Sequence, residues 1–198
     1  KGAIFKGDGS IRPDSGHVPF EITVLVPRAN IRDLEQVCNW LRMKKAKVNA
    51  SCGLHTHLDF RNKSNLETAA NRLHNALPFL AKLVPETRRS NNYCRLERNY
   101  RGDSNRYAAV NTLAYDKYRT LEVRLHSGTT SFEKITSWLL IVSNIVENKN
   151  FDAYRSWTNI DDFIKFLDFK QEAINYYIRE RFEKFNSTKK VVEEKGEE

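Results

Sequence analysis

Between Phe20 and Val26 the chain alternates: Phe20, Ile22, Val24 and Val26 are apolar, whereas Glu21 and Thr23 are polar. A period of two is the mark of a half-buried strand, because successive side chains leave opposite faces. The stretch Gly53 to Phe60 repeats the pattern, with His55, His57 and Asp59 on one face and Leu54, Leu58 and Phe60 on the other. In Thr120 to His126, Glu122, Arg124 and His126 oppose Leu121, Val123 and Leu125. Three strands with one wet face predict an antiparallel sheet covered on one side only. A further strand, Arg106 to Leu113, joined to the last one by Ala114 to Tyr118, has the spacing of a hairpin.

The helical period occupies the intervals between strands. Ile31, Leu34, Val37, Cys38 and Leu41 form an apolar stripe that ends in the basic turn Lys44-Lys45. Leu66, Ala70, Leu73, Leu77 and Leu80 mark a second helix over Leu66 to Leu83, which Pro78 is expected to bend or interrupt. Thr130-Ser131-Phe132-Glu133 reads as a capping box ahead of a buried face of Ile135, Trp138, Leu139, Val142 and Val146. A last helix, Ile160 to about Phe185, carries Phe163, Phe166, Leu167, Ile174, Tyr177, Ile178 and Phe182. Gly7-Asp8-Gly9-Ser10 signals a turn, and Pro85 to Asp103, with Arg88, Arg89, Arg95, Arg98 and Arg101, reads as a long polar loop.

These elements predict an α+β fold: a curved, mainly antiparallel sheet with helices packed on one face. The expected organisation is a main domain over residues 1–150, a helical extension over 151–186 and a charged, frayed tail over 187–198.

Composition narrows the function classes. A chain of 198 residues is long enough to bury about 70% of its unfolded surface. No apolar run reaches the roughly 20 residues that span a bilayer, and Lys1 to Phe5 lack the apolar region of a secretory signal. Cys38, Cys52 and Cys94 are odd in number and lack CxxC spacing, so a reducing, cytoplasmic setting is expected rather than a disulfide framework. The net charge of +8 suits anionic partners, yet the basic residues are spread along the chain without an arm of interleaved aromatics. Nucleic acid and membrane are therefore not the expected partners; phosphorylated small molecules are.

Imidazole is the common transition-metal ligand and has no packing role on an open sheet face, so His55 and His57 point to metal or substrate contact. Glu122 and Arg124 lie a few residues before Ser127-Gly128-Thr129-Thr130 and a helix start, where backbone N–H groups favour an anion. A carboxylate for metal, a guanidinium for phosphate oxygens and a helix start together suit phosphoryl chemistry. Cys52 is expected to be a packed thiol rather than a nucleophile.

Six segments carry a resemblance: Asp8-Gly9-Ser10; Glu21-Ile22; Cys52-Gly53-Leu54-His55-Thr56-His57; Arg88-Arg89-Ser90-Asn91-Asn92-Tyr93-Cys94; Arg106-Tyr107 with Val110-Asn111; and Thr120 to Thr129. Together they resemble the amidoligases, a branch of the carboxylate–amine ligase superfamily that shares the glutamine synthetase catalytic fold. The resemblance implies ATP-dependent joining of a carboxylate to an amine through an acyl phosphate, with Mg2+ or Mn2+ bridging the phosphates. It also implies roles: Glu21, His55, His57 and Glu122 toward metal, Arg124 on the ATP phosphates, Glu122 and Arg124 in catalysis, and Arg88, Asn111 and Thr129 on nucleotide or substrate. The family's leading strand carries a Gly-x-Glu-x-Glu element that residues 1–198 do not contain. The expectation is therefore either a longer parent polypeptide or a reduced metal site.

Two other readings fit parts of the pattern. A catalytically inactive binding or assembly module, meeting a protein partner or a second copy through the aromatic C-terminal helix, would explain the missing glutamates. A metal-dependent hydrolase would use His55-Thr56-His57-Leu58-Asp59, but lacks the βαβ repeat that a barrel of that kind needs. The ligase reading depends on the strands of Glu21, His55 and Glu122 lying side by side with their polar groups in one hollow.

Overall fold

The computed structural model describes residues 3–27, 31–62, 64–89, 91–97, 105–148, 150–151 and 157–187. Arg98, Arg101 and the expected tail beyond Ser187 lie outside the described residues.

Three strands form the central sheet in the order β3-β5-β4: β3 is Gly53–Asp59, β4 Val110–Asn111 and β5 Thr120–Ser127. Both pairings are antiparallel, and β5 is the middle strand. Its register puts His57 and Asn111 on either side of Glu122, and Thr56 and Val110 on either side of Val123. The alternation of β5 thus sends Leu121 and Val123 to the covered face and Glu122 to the open one. β4 is far shorter than the strand expected from Arg106, and the hairpin link Ala114–Tyr118 is a short helix, α4.

A second sheet holds only β1 (Ile4–Lys6) and β2 (Glu21–Thr23), paired antiparallel. The strand of Glu21 therefore does not join β3 and β5 in one sheet, contrary to the expectation from its alternation, but Glu21 still lines the same cleft as His55, His57 and Glu122. Its pattern was shared by a partner, Ile4–Lys6, which carries no strand signal strong enough to be read. Asp8 closes the turn after β1, its Oδ1 accepting from the amide and hydroxyl of Ser10 at 2.8 and 2.7 Å.

Helices α2 (Leu66–Lys82), α5 (Phe132–Glu147), α6 (Ile160–Leu167) and α7 (Glu172–Asn186) cover the apolar face of the central sheet. One continuous core joins Leu121, Val123 and Leu125 of β5 to Leu73 and Leu80 of α2, Trp138 and Ile141 of α5, Phe163 of α6 and Ile178 of α7. Helix α1 (Arg32–Met43) packs separately, burying Leu34 and Cys38 against Ile135 of α5. Of the aromatic residues near the C-terminus, Phe163 and Tyr177 belong to this core and Phe166, Phe169 and Phe182 pack against it, whereas Tyr176 is exposed. No helix among the described residues is long and apolar enough to cross a membrane.

Three details differ from the pattern-based expectation. Helix α2 runs through Pro78 to Lys82, because Leu73, Ala76, Leu77, Phe79 and Leu80 are buried around it and packing outweighs the missing donor. The cap of α5 is Ser131 rather than Thr130: its Oγ accepts from Lys134 N at 3.2 Å and donates to Glu133 at 2.7 Å. The single C-terminal helix is two, broken at Asp168, whose φ of 48° is left-handed.

Candidate active site

Glu122 is the centre of the open face. Its carboxylate is almost fully buried, with 7% of the side chain exposed, so it must be satisfied by other groups. Arg124 Nη1 donates to Oε1 at 2.6 Å and Asn111 Nδ2 to Oε2 at 2.7 Å. His55 Nδ1 lies 3.4 Å and His57 Nε2 3.7 Å from Oε1. Four side chains from three strands therefore converge on one carboxylate. Cross-strand pairing in β3-β5-β4 supplies two of them, and the i, i+2 spacing of a strand supplies Arg124.

Each of these groups is itself held. Arg124 Nε donates to Tyr93 O at 3.1 Å, and its guanidinium lies 5.6 Å from the Tyr107 ring. His57 Nδ1 is 2.9 Å from Thr120 Oγ1, and its ring meets Tyr118 edge to face at 5.8 Å. Asn111 Oδ1 accepts from Leu113 N at 3.1 Å. Tyr93, Tyr107 and Tyr118 form a rim that the hydrophobic pattern did not reveal; the only signal for it was the placing of Tyr93 and Tyr107 inside the recognised motifs.

The electrostatics favour neutral imidazoles. Burial, then the positive charges of Arg124 and Arg88 and the His57 ring, bring His55 down to about 4 in spite of Glu122. Burial also lowers His57, against the pull of the same carboxylate. Near neutral pH both rings offer a lone pair, the state needed to bind a metal or accept a proton.

The expected metal set does not meet as a whole. Glu21 pairs with Lys6 at 3.0 Å across the two-stranded sheet, although it is close enough to His57 to favour that ring's charged form. Among the described residues no group of three or more His, Cys, Asp or Glu side chains could hold a metal ion. The donors fit a divalent cation in part: Glu122 and His55 supply a carboxylate oxygen and an imidazole nitrogen on one wall, but Arg124 already occupies that oxygen. Asp59 turns to Arg61, with contacts of 2.7 to 3.1 Å.

One other expected residue sits elsewhere. His126 was placed on the face of Glu122 by alternation, but it is fully buried on the helix side, with Nε2 2.9 Å from Tyr177 OH and its ring 5.0 Å from Trp138. The cause is a register slip. Between Leu54 and Thr56 β3 advances two residues while β5 advances three, from His126 to Val123, so the extra residue in β5 reverses the parity beyond Arg124. Arg88, expected on nucleotide or substrate, lines the cleft beside Gly53 and His55, with its guanidinium on the backbone carbonyls of Arg124 and Leu125. Thr129 lines the cleft ahead of α5 and accepts from Ser131 N at 3.2 Å.

The cleft in front of Glu122 is wide, bounded by β1, β2, the turn at Asp8, Tyr93, Tyr107 and the start of α5. Fold and site together define an α+β protein with a carboxylate, two imidazoles and a guanidinium gathered on the open face of an antiparallel sheet. Residues 8–101 match the family described as "Putative amidoligase enzyme", and that match supports the amidoligase family for this chain, in agreement with its motifs. The matched segment includes His55, His57 and Arg88 and ends before β5. Neither the curated proteins nor the solved structures gave a match.

Proposed function

We propose that this chain provides the catalytic surface of an ATP-dependent carboxylate–amine ligase. The observation that carries the reading is the meeting of Arg124, Asn111, His55 and His57 on the buried Glu122 carboxylate, in a segment order that the family match supports over residues 8–101.

In the reaction a substrate carboxylate oxygen attacks the γ-phosphorus of ATP, the bond to the bridging oxygen breaks and ADP leaves. The amine nitrogen then attacks the acyl carbon, the carbon–oxygen bond to phosphate breaks, and the nitrogen loses a proton. Arg124 is the group that would face phosphate oxygens; it is fixed from both ends, by Glu122 and by Tyr93 O, so little ordering is needed on binding. His57, kept neutral by burial, would accept the amine's proton. A divalent cation, bound through Glu122 and His55, would supply charge neutralisation of the phosphates. The wide cleft around them also takes in Asp8, Glu21 and Thr129.

The test is ADP release from ATP in the presence of magnesium and a pool of amino acids and peptides, compared between the protein and Glu122→Gln. The proposal expects amine-dependent release that falls at least about 100-fold in the variant, the scale on which one electrostatic group acts. Absence of release from the intact protein with every carboxylate and amine would favour a non-catalytic binding module. Hydrolysis stimulated by zinc without ATP would favour the hydrolase.

A further inference from the structure

Arg88 is 95% buried, and no carboxylate pairs with it among the described residues. Burying an arginine without a counter-ion is costly, and its pKa is accordingly lowered, first by burial. Its Nη2 donates to Arg124 O at 2.5 Å, and Nε makes a longer contact of 3.5 Å with Leu125 O. Those carbonyls belong to the two residues of β5 that oppose the single residue His55 of β3, the point where the ladder slips and backbone acceptors lose their regular partners. A Cβ on Gly53 would come within 3.1 Å of both Arg88 Nη2 and His55 Nε2, so the bare glycine is what lets the guanidinium cross β3 beside His55.

We infer that Arg88 is a positioning residue that fixes the β5 bulge and thereby aims Arg124 at Glu122. Two backbone consequences follow from the same bulge: Arg124 stays on the open face, while Leu125 and His126 turn into the core. Without the guanidinium, the carbonyls of Arg124 and Leu125 would be buried acceptors, and the strand would relieve them by shifting. Arg124 would then lose its alignment with Glu122 and Tyr93 O. The inference depends on the ligase reading only for its bearing on turnover; the geometry stands apart from it.

The experiment follows the Nε–H signal of Arg124 by 15N NMR in the intact protein, in Arg88→Met, in Arg88→Lys and in Phe163→Leu. Met keeps the length of the stem and removes the donors, Lys keeps one donor and the charge, and Phe163→Leu loosens the core far from the bulge. Arg88→Met should exchange the Arg124 Nε proton about tenfold faster or lose the signal. Arg88→Lys should lie between, and Phe163→Leu should leave the signal protected. An unchanged Arg124 signal in Arg88→Met, or equal loss in Phe163→Leu, overturns the inference. Failure of the ligase reading would show instead as no ATP turnover by the intact protein while the NMR comparison still came out as expected.

Discussion

Gly128 shows how closely one residue can constrain this site. Its amide donates to Cys52 O at 2.8 Å, and an added Cβ would fall 2.4 Å from Cys52 Cβ and 3.1 to 3.2 Å from the Cys52 carbonyl. Because the nearest backbone atoms lead directly into β3, the clash cannot be relieved by swinging a side chain. Gly128→Ala is expected to destabilise the fold by about 1–3 kcal/mol, read from urea unfolding. At the same scale the sequence was a good guide to chemistry and a poorer one to partners. Alternation alone set His55, His57, Glu122 and Arg124 on a common face. It failed at His126, because one extra backbone residue reverses every later side chain and leaves no mark in the pattern of apolar and polar positions.

At the scale of elements, helices were legible and short strands were not. α1, α2 and α5 carry apolar stripes long enough to outweigh local noise, and each lies within a residue or two of its expected span. β1, with three exposed residues, and β4, with two buried ones, are too short to be specified by their own composition and are held by neighbours. The break between α6 and α7 was missed because the aromatic residues continue in helical phase on both sides of Asp168. The start of α6 is set locally: Asn159 Oδ1 accepts from Asp162 N at 2.9 Å. Asn159→Ala should cost about 1 kcal/mol, visible as a lower thermal midpoint, because it removes the one side-chain cap of a two-turn helix.

For the molecule as a whole, pH is the variable that the buried polar groups control. His126, fully buried, is brought down to about 3 by burial and by Arg181, and His55 to about 4. Unfolded, both rings would take up a proton near their ordinary 6.5. Between these values the unfolded chain binds more protons, so stability should be full above pH 6.5 and fall as the pH drops toward 4. For His126 the slope is at most about 1.4 kcal/mol per pH unit. Tyr177, raised to about 12 by burial, acts at the other end: the unfolded phenol ionises near 10, so stability falls again as the pH rises from 10 to 12. Urea midpoints should therefore form a plateau from about pH 6.5 to 9, above which the unfolded thiols of Cys38 and Cys94, both raised in the fold by burial, ionise first, and Tyr177→Phe should flatten only the part of the alkaline limb above pH 10.

Helix α7 reaches back across the chain. Arg181 Nε donates to Leu83 O at 2.6 Å, Asn186 Nδ2 to Lys82 O at 2.8 Å, and Arg89 Nη2 to Phe185 O at 3.1 Å. These contacts grip both ends of the bend from α2 to the helical turn α3 (Glu86–Arg89), which bears Arg88. A protease nick at Asp168 would leave every group around Glu122 chemically intact, yet it would free the far anchor of that turn. The hollow would go slack through the loss of a support it never touches.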